Sequence, residues 1–190
     1  ADVQTALRER RRHLNVASIS TDELADELVA GKVVARFEAG SEFGPRALGH
    51  RSILADPRHA STWKAVNRGI KFREDFRPFA PMVAAERAQE FFELDGQAPY
   101  MLRVVPIREA WREQLGAVCH VDGTARVQTV AHADQPRLHA LLSAIGERTG
   151  LPVLLTSGYA SMIQSQGIPF DNITRFAKKP WNNVELIETL

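Results

Sequence analysis

From Thr21 onward the chain alternates stretches of helical and strand-like hydrophobic spacing. Ser20 and Glu23 have the spacing of a capping box, Leu24, Leu28 and Val29 follow at helical intervals, and Gly31 supplies a stop, which predicts a helix over 21–30. Val33 to Phe37 and Ser52 to Ala55 predict short strands, the second ended by Asp56-Pro57, with a long glycine-punctuated loop between them. Trp63, Val66 and Ile70 recur at helical spacing over 59–69, with Ser61 or Thr62 as the cap. Pro78 and Pro81 predict an extended segment around Phe79-Ala80, followed by a helix over 86–92 and a strand over 100–105. Ala117 to Val121 and Arg126 to Ala131 predict two strands around an Asp122-Gly123 turn. Pro136 opens a helix carrying Leu138, Leu141, Leu142 and Ile145, and Gly150 ends it. Val153 to Leu155 predicts a buried strand, and a short helix over 171–176 and a last strand over 184–187 complete the pattern.

Strands interleaved with helices predict a layered α/β or α+β domain with a twisted mixed sheet. The 190 residues suit one core, with 1–20 as a leading arm or helix, rich in Arg8, Arg10, Arg11 and Arg12, and 21–190 as the domain.

Composition narrows the function classes. Twenty-four Lys and Arg against 23 Asp and Glu leave a charge of +1, so bulk electrostatics argue for neither nucleic acid nor an anionic membrane. Cys119 is the one cysteine, so no intrachain disulfide forms and a reducing cytoplasm is the expected compartment. The apolar runs are far shorter than the roughly 20 residues that span a bilayer. No two glycines stand in a G-x-G spacing, and Gly31-Lys32 is followed by Val33, which removes the dinucleotide fingerprint and the P-loop. No two histidines stand three or four apart, so no self-contained metal site is expected.

What stands out is a set of cations in loops. Phe43-Gly44-Pro45-Arg46-Ala47-Leu48-Gly49-His50-Arg51-Ser52 sets two arginines five apart where glycine and proline permit close approach by a ligand. Lys71 to Pro81 adds Lys71, Arg73 and Arg77 beside aromatic anchors, and Asp122-Gly123-Thr124-Ala125-Arg126 adds one more at a turn. Guanidinium groups grip phosphate or carboxylate oxygens in pairs and an ammonium adds a point charge, so these residues read as an anion site if their loops converge. The plainer reading is surface ion pairing, preferred for Arg73 with Glu74 or Asp75.

Three blocks carry a resemblance: Glu42 to Arg58, Lys71 to Pro81 and His120 to Val130. In this order they closely resemble the C-terminal domain of the O-carbamoyltransferases of nodulation-factor and antibiotic biosynthesis, over about Thr21 to Leu155. The resemblance implies a YrdC-like fold attached to a larger actin-like ATPase-type transferase domain. It implies that carbamoyl phosphate and ATP, with Mg2+, form carbamoyladenylate here, and that the partner domain delivers the carbamoyl group to a hydroxyl acceptor. By motif position Arg46, Lys71, Arg77 and Arg126 are implied to bind carbamoyl phosphate and the ATP phosphates, with Arg51 a further candidate. Of these, Lys71, Arg77 and Arg126 are implied to be catalytic, through charge neutralisation and positioning. Two departures stand against it. Ala39-Gly40-Ser41 replaces a stretch that carries an arginine in the family, and Thr156-Ser157-Gly158-Tyr159-Ala160 replaces Asn-Thr-Ser-Phe-Asn, leaving Thr156 and Ser157 to supply the hydroxyls near the nucleotide. A weakened nucleotide-binding or regulatory module, or an RNA-binding relative of the YrdC proteins, is the alternative expectation.

Overall fold

A computed structural model describes residues 18–38, 42, 44–58, 60–71, 74 and 76–158. The leading arm through residue 17, Arg73, and the helix and strand expected near 171–176 and 184–187 lie outside the described residues.

Helix α1 (Thr21–Val29) starts where the sequence places it. The Ser20 hydroxyl accepts the Glu23 amide at 3.1 Å, while Glu23 Oε2 accepts the Ser20 amide at 2.8 Å. The box satisfies two orphan donors at the helix start, while Ala25 and Leu28 face the core. Strands β1 (Val34–Phe37) and β2 (Arg51–Ala55) pair antiparallel. Helix α2 (Ala60–Val66) contains Ser61 and Thr62 inside its first turn, so neither is its cap. It widens into a π-helical turn (Asn67–Lys71), a rare form that re-aims the side chains after it. Then come β3 (Ala80–Ala84), a 3-10 turn (Ala85–Arg87) running into the short helix α3 (Ala88–Phe91), and β4 (Arg103–Pro106). Strand β5 (Thr124–Val130), helix α4 (Pro136–Thr149) and β6 (Val153–Ser157) close the described chain. Gly150 ends α4 at φ 75°, a left-handed position that glycine takes without strain.

The six strands form one sheet in the order β1-β2-β6-β3-β5-β4. Only β3 and β5 are parallel, so the sheet is mixed and the α/β expectation stands. Alternation along each strand sends Ile53, Val83, Val127 and Leu155 to one face, where they pack with Phe91 and Phe92. Leu54, Met82, Val130 and Leu154 go to the other face, under α1 and α4.

Two further local expectations differ from the structure, and a third is borne out and extended. Residues 117–121 are not a strand: the Ala117 amide donates to the Pro57 carbonyl, Leu115 and Val118 are buried in turns, and β5 takes β4 as its antiparallel partner. The Asp122-Gly123 turn is real but serves a tight loop, in which His120 donates to the Thr124 carbonyl at 2.8 Å. The Thr124 hydroxyl, then its amide, hold the Asp122 carboxyl below its ordinary value. The strand expected from Tyr100 starts only at Arg103, after Met101 turns through φ 55°. Finally, the proline-flanked extended segment leads into β3, an interior strand. Pro81 is tolerated because it is second in the strand, and the ladder to β5 begins at Met82.

Among the described residues no helix is long and apolar enough to cross a membrane.

The capping box yields a test. Ser20→Ala should lower unfolding stability by about 1 kcal/mol in a urea titration. Glu23 is held below its ordinary pKa first by the Ser20 amide, which the variant keeps, and then by the Ser20 hydroxyl, which it loses. Its stabilising contribution is therefore present above the unfolded pKa and lost as pH falls through the folded one. Between roughly pH 3 and pH 6 the wild-type chain should gain more stability than the variant.

Candidate functional site

One end of the sheet collects Arg51, Lys71, Arg77, Arg126, Thr156 and Ser157. Arg51 begins β2, Thr156 and Ser157 end β6, and the pairs Ile53↔Ser157 and Ala80↔Thr156 bring the start of β3 to the same edge. Strand β5 runs parallel to β3 with Met82 opposite Gln128, which sets Arg126 level with Ala80 when the register is extended by two residues. The π-helical turn then delivers Lys71, which is buried and donates to the Gly158 carbonyl just beyond β6. The Arg77 backbone is pinned ahead of β3, its carbonyl accepting from Trp63 Nε1 at 2.8 Å and Asn67 Nδ2 at 3.0 Å. Its guanidinium meets Glu74 Oε2 at 2.9 Å with both side chains about half exposed. Glu74, considered from the sequence as a partner for Arg73, thus serves Arg77. Such an exposed pair contributes only about 0–1 kcal/mol, so a polyanion exchanges for it at little cost.

The loop carrying Arg46 has little secondary structure and is fixed by side chains instead. Glu42 Oε1 accepts the amides of Leu48 at 2.7 Å, His50 at 2.8 Å and Arg51 at 3.4 Å, and its carboxylate is almost fully buried. The Leu48 carbonyl accepts from Gln128 Nε2 at 2.8 Å and Gln135 Nε2 at 3.2 Å. The Gly49 amide donates to Ser52 Oγ at 2.9 Å, and Arg36 donates to the Gly49 carbonyl. Three consecutive peptide units are thereby tied to β1, β2, β5 and the start of α4. None of Arg36, Glu42, Gln128 or Gln135 was picked out from the sequence. The available signal was Gln128 itself, a lone amide in the otherwise β-branched and apolar run Val127 to Val130.

Arg126 is half-buried, and among the described residues its Nε has no hydrogen-bond partner and its guanidinium no ion pair. Burial, and then the charge of Arg46, push its pKa down. Arg36 is also held down, by burial and then by Arg137, against the pull of Glu42, but it is already paired with Glu38. Arg126, which burial and like charge both disfavour, is a cation that an anion would relieve.

The sheet divides the set between its faces. Arg126 and Thr156 lie on the α1/α4 face, by alternation with Val130 and Leu154. Arg51 and Ser157 lie on the opposite face with Ile53, and Arg51 sits 4.8 Å from the centre of the Phe37 ring.

Residues 25–168 match the family described as Carbamoyltransferase C-terminus. The nodulation protein NolNO of Sinorhizobium fredii is 48% identical over 153 residues, covering 79% of this chain and 22% of that protein. The 3'-hydroxymethylcephem-O-carbamoyltransferase of Amycolatopsis lactamdurans is 47% identical over 133 residues, covering 70% of this chain and 25% of that enzyme. The chain therefore spans about a quarter of the length of these relatives. The crystal structure of full-length HypF in its phosphate- and nucleotide-bound form aligns with a TM-score of 0.49 at 16% identity, covering 93% of this chain and 20% of that one.

The tied loop predicts a strict requirement at Gly49. Its φ is 110°, and a Cβ there would stand 2.3 Å from Leu138 Cδ2. Gly49→Ala should cost about 2 kcal/mol or more in chemical denaturation, through strain and overpacking together. A variant as stable as the parent would mean that the loop is not held as described.

Proposed function

Because the chain belongs to the Carbamoyltransferase C-terminus family, we propose that it is the carbamoyl-activating part of an O-carbamoyltransferase, forming carbamoyladenylate from carbamoyl phosphate and Mg2+-ATP. The observation that carries this reading is Arg126, half-buried, beside the charge of Arg46 and without an acidic partner among the described residues. A protein retains such a charge at a cost in stability, which a bound phosphate would offset.

Releasing both phosphate and pyrophosphate requires one water. Water attacks carbamoyl phosphate, the bond to phosphate breaks, and carbamate and inorganic phosphate result. A carbamate oxygen then bonds to the α-phosphorus of ATP as pyrophosphate leaves. Both reactants are anions, so the work of the site is to screen their repulsion and hold them in line. In this proposal Arg126 and Arg46 hold the phosphate of carbamoyl phosphate. Lys71 and Arg77 take the triphosphate from the other side of the β3 start, Arg77 releasing Glu74 as it does so. Arg51 and Ser157 lie on the opposite face, at the entry of β2 and the exit of β6, where they would contact the nucleotide. Mg2+ arrives with ATP as part of the substrate. Delivery to a hydroxyl is assigned to a partner transferase domain, in keeping with the quarter of the relatives' length that this chain spans.

The test mixes the chain with Mg2+-ATP and carbamoyl phosphate and follows pyrophosphate. Release that requires carbamoyl phosphate, reduced about 100-fold in Arg126→Met, is expected. Absence of carbamoyl-phosphate-dependent release from the folded wild-type chain would overturn the assignment.

A further inference from the structure

Four buried atoms without hydrogen-bond partners among the described residues lie around the loop and sheet end: Arg126 Nε, Gln128 Oε1, Thr156 Oγ1 and Gln135 Oε1. Gln135 Oε1 abuts Gly49, 3.0 Å from where a Cβ would stand, and belongs to the contact between loop and helix. The other three are on one face of three neighbouring strands. Thr156 on β6 is opposite Ala80 on β3, and Met82, two residues further, is opposite Gln128 on β5. Strands lie about 4.8 Å apart, so Thr156 and Arg126 flank Ala80 with their backbones roughly 10 Å from each other. Ala80, which stands between them, contributes only a methyl group.

The polarity of each atom is fixed. Gln128 Nε2 donates to the Leu48 carbonyl, which takes only the NH2 end of the amide, so Gln128 must present Oε1 as an acceptor. Arg126 Nε is a donor, and the Thr156 hydroxyl donates or accepts. Buried polar atoms cost stability when unmet, and one such cluster beside an uncompensated guanidinium calls for a ligand with a matching pattern.

We infer that Gln128 and Thr156, with Arg126, form a subsite for a planar primary amide or carbamoyl group next to the phosphate position. The amide NH2 donates to Gln128 Oε1, and its carbonyl accepts from Thr156 Oγ1 and Arg126 Nε. The remaining guanidinium N–H groups of Arg126 face the adjoining phosphate. This rests on the proposed function and deepens it, making Gln128 the residue that separates a carbamoyl phosphate from an acyl phosphate. Thr156 thereby moves from the nucleotide to the carbamoyl end of the substrate.

The test uses two stable probes, phosphonoacetamide and acetonylphosphonate, in which a methyl stands where the amide has NH2. Calorimetry on the wild-type chain should show the amide bound roughly tenfold or more tightly than the ketone. Gln128→Met should erase that preference, while inorganic phosphate still binds because Gln135 and Glu42 continue to hold the Leu48 loop. Thr156→Val removes a hydroxyl that has no partner among the described residues, so it should weaken phosphonoacetamide binding by about tenfold and leave the melting temperature unchanged or higher. That combination is what a purely structural threonine would not give. If both variants keep the wild-type preference with phosphate binding intact, the subsite is wrong and the anion site stands. If neither probe nor phosphate binds the wild-type chain, the anion site and the subsite fail together. Should Gln128→Met not fold, Thr156→Val decides: unchanged affinity overturns the inference.

Discussion

The arrangement depends on a short piece of backbone, Leu48 to His50, whose peptide groups are bonded almost entirely by side chains from elsewhere in the fold. Glu42 gathers the amides, Gln128 and Gln135 hold the Leu48 carbonyl, and Arg36 and Ser52 take the two sides of Gly49. Loops ordinarily hydrogen-bond to water and move; this one exchanges water for four separate elements and is fixed by them. The consequence is positional. Arg46 stands on a loop yet is set relative to β5, which carries both Gln128 and Arg126, so the two arginines are held together despite their repulsion.

Holding them so has a cost, and that cost separates function from stability. The two hydrophobic layers, one around Phe91 and Phe92 and the other under α1 and α4, supply the folding free energy. The sheet end contributes unmatched donors and acceptors, and a half-buried cation with no acid beside it among the described residues. Strain and unmet polarity of this kind concentrate at binding sites, where the ligand completes what the protein leaves open. The chain belongs to the Carbamoyltransferase C-terminus family and spans about a quarter of the length of the relatives described above.

Much of this was legible in the sequence wherever the determinant was local. The Ser20–Glu23 box fixed the start of α1, and Pro136 and Gly150 bracketed α4 almost to the residue, because caps act on their own turn. Interior strand β3 was legible only as an extended stretch, since Pro81 argues against a ladder that its position at the strand start still permits. The hairpin expected across Asp122-Gly123 failed because the turn signal was sound while the partner strand came from residues 103–106, a pairing no local pattern specifies. The loop cations were visible as a class, but their division between two sheet faces and the roles of Glu42, Gln128 and Gln135 are products of register and tertiary contact.

The most direct measurement is the thermal stability of the wild-type chain and of Arg126→Met, with and without inorganic pyrophosphate. An uncompensated cation kept for an anion predicts that pyrophosphate raises the wild-type melting temperature, since ligand bound to the native state adds its binding free energy to folding. It also predicts that Arg126→Met melts higher than wild type without ligand and gains far less from pyrophosphate. A wild-type chain indifferent to pyrophosphate, or a variant that is less stable without ligand, would contradict the account.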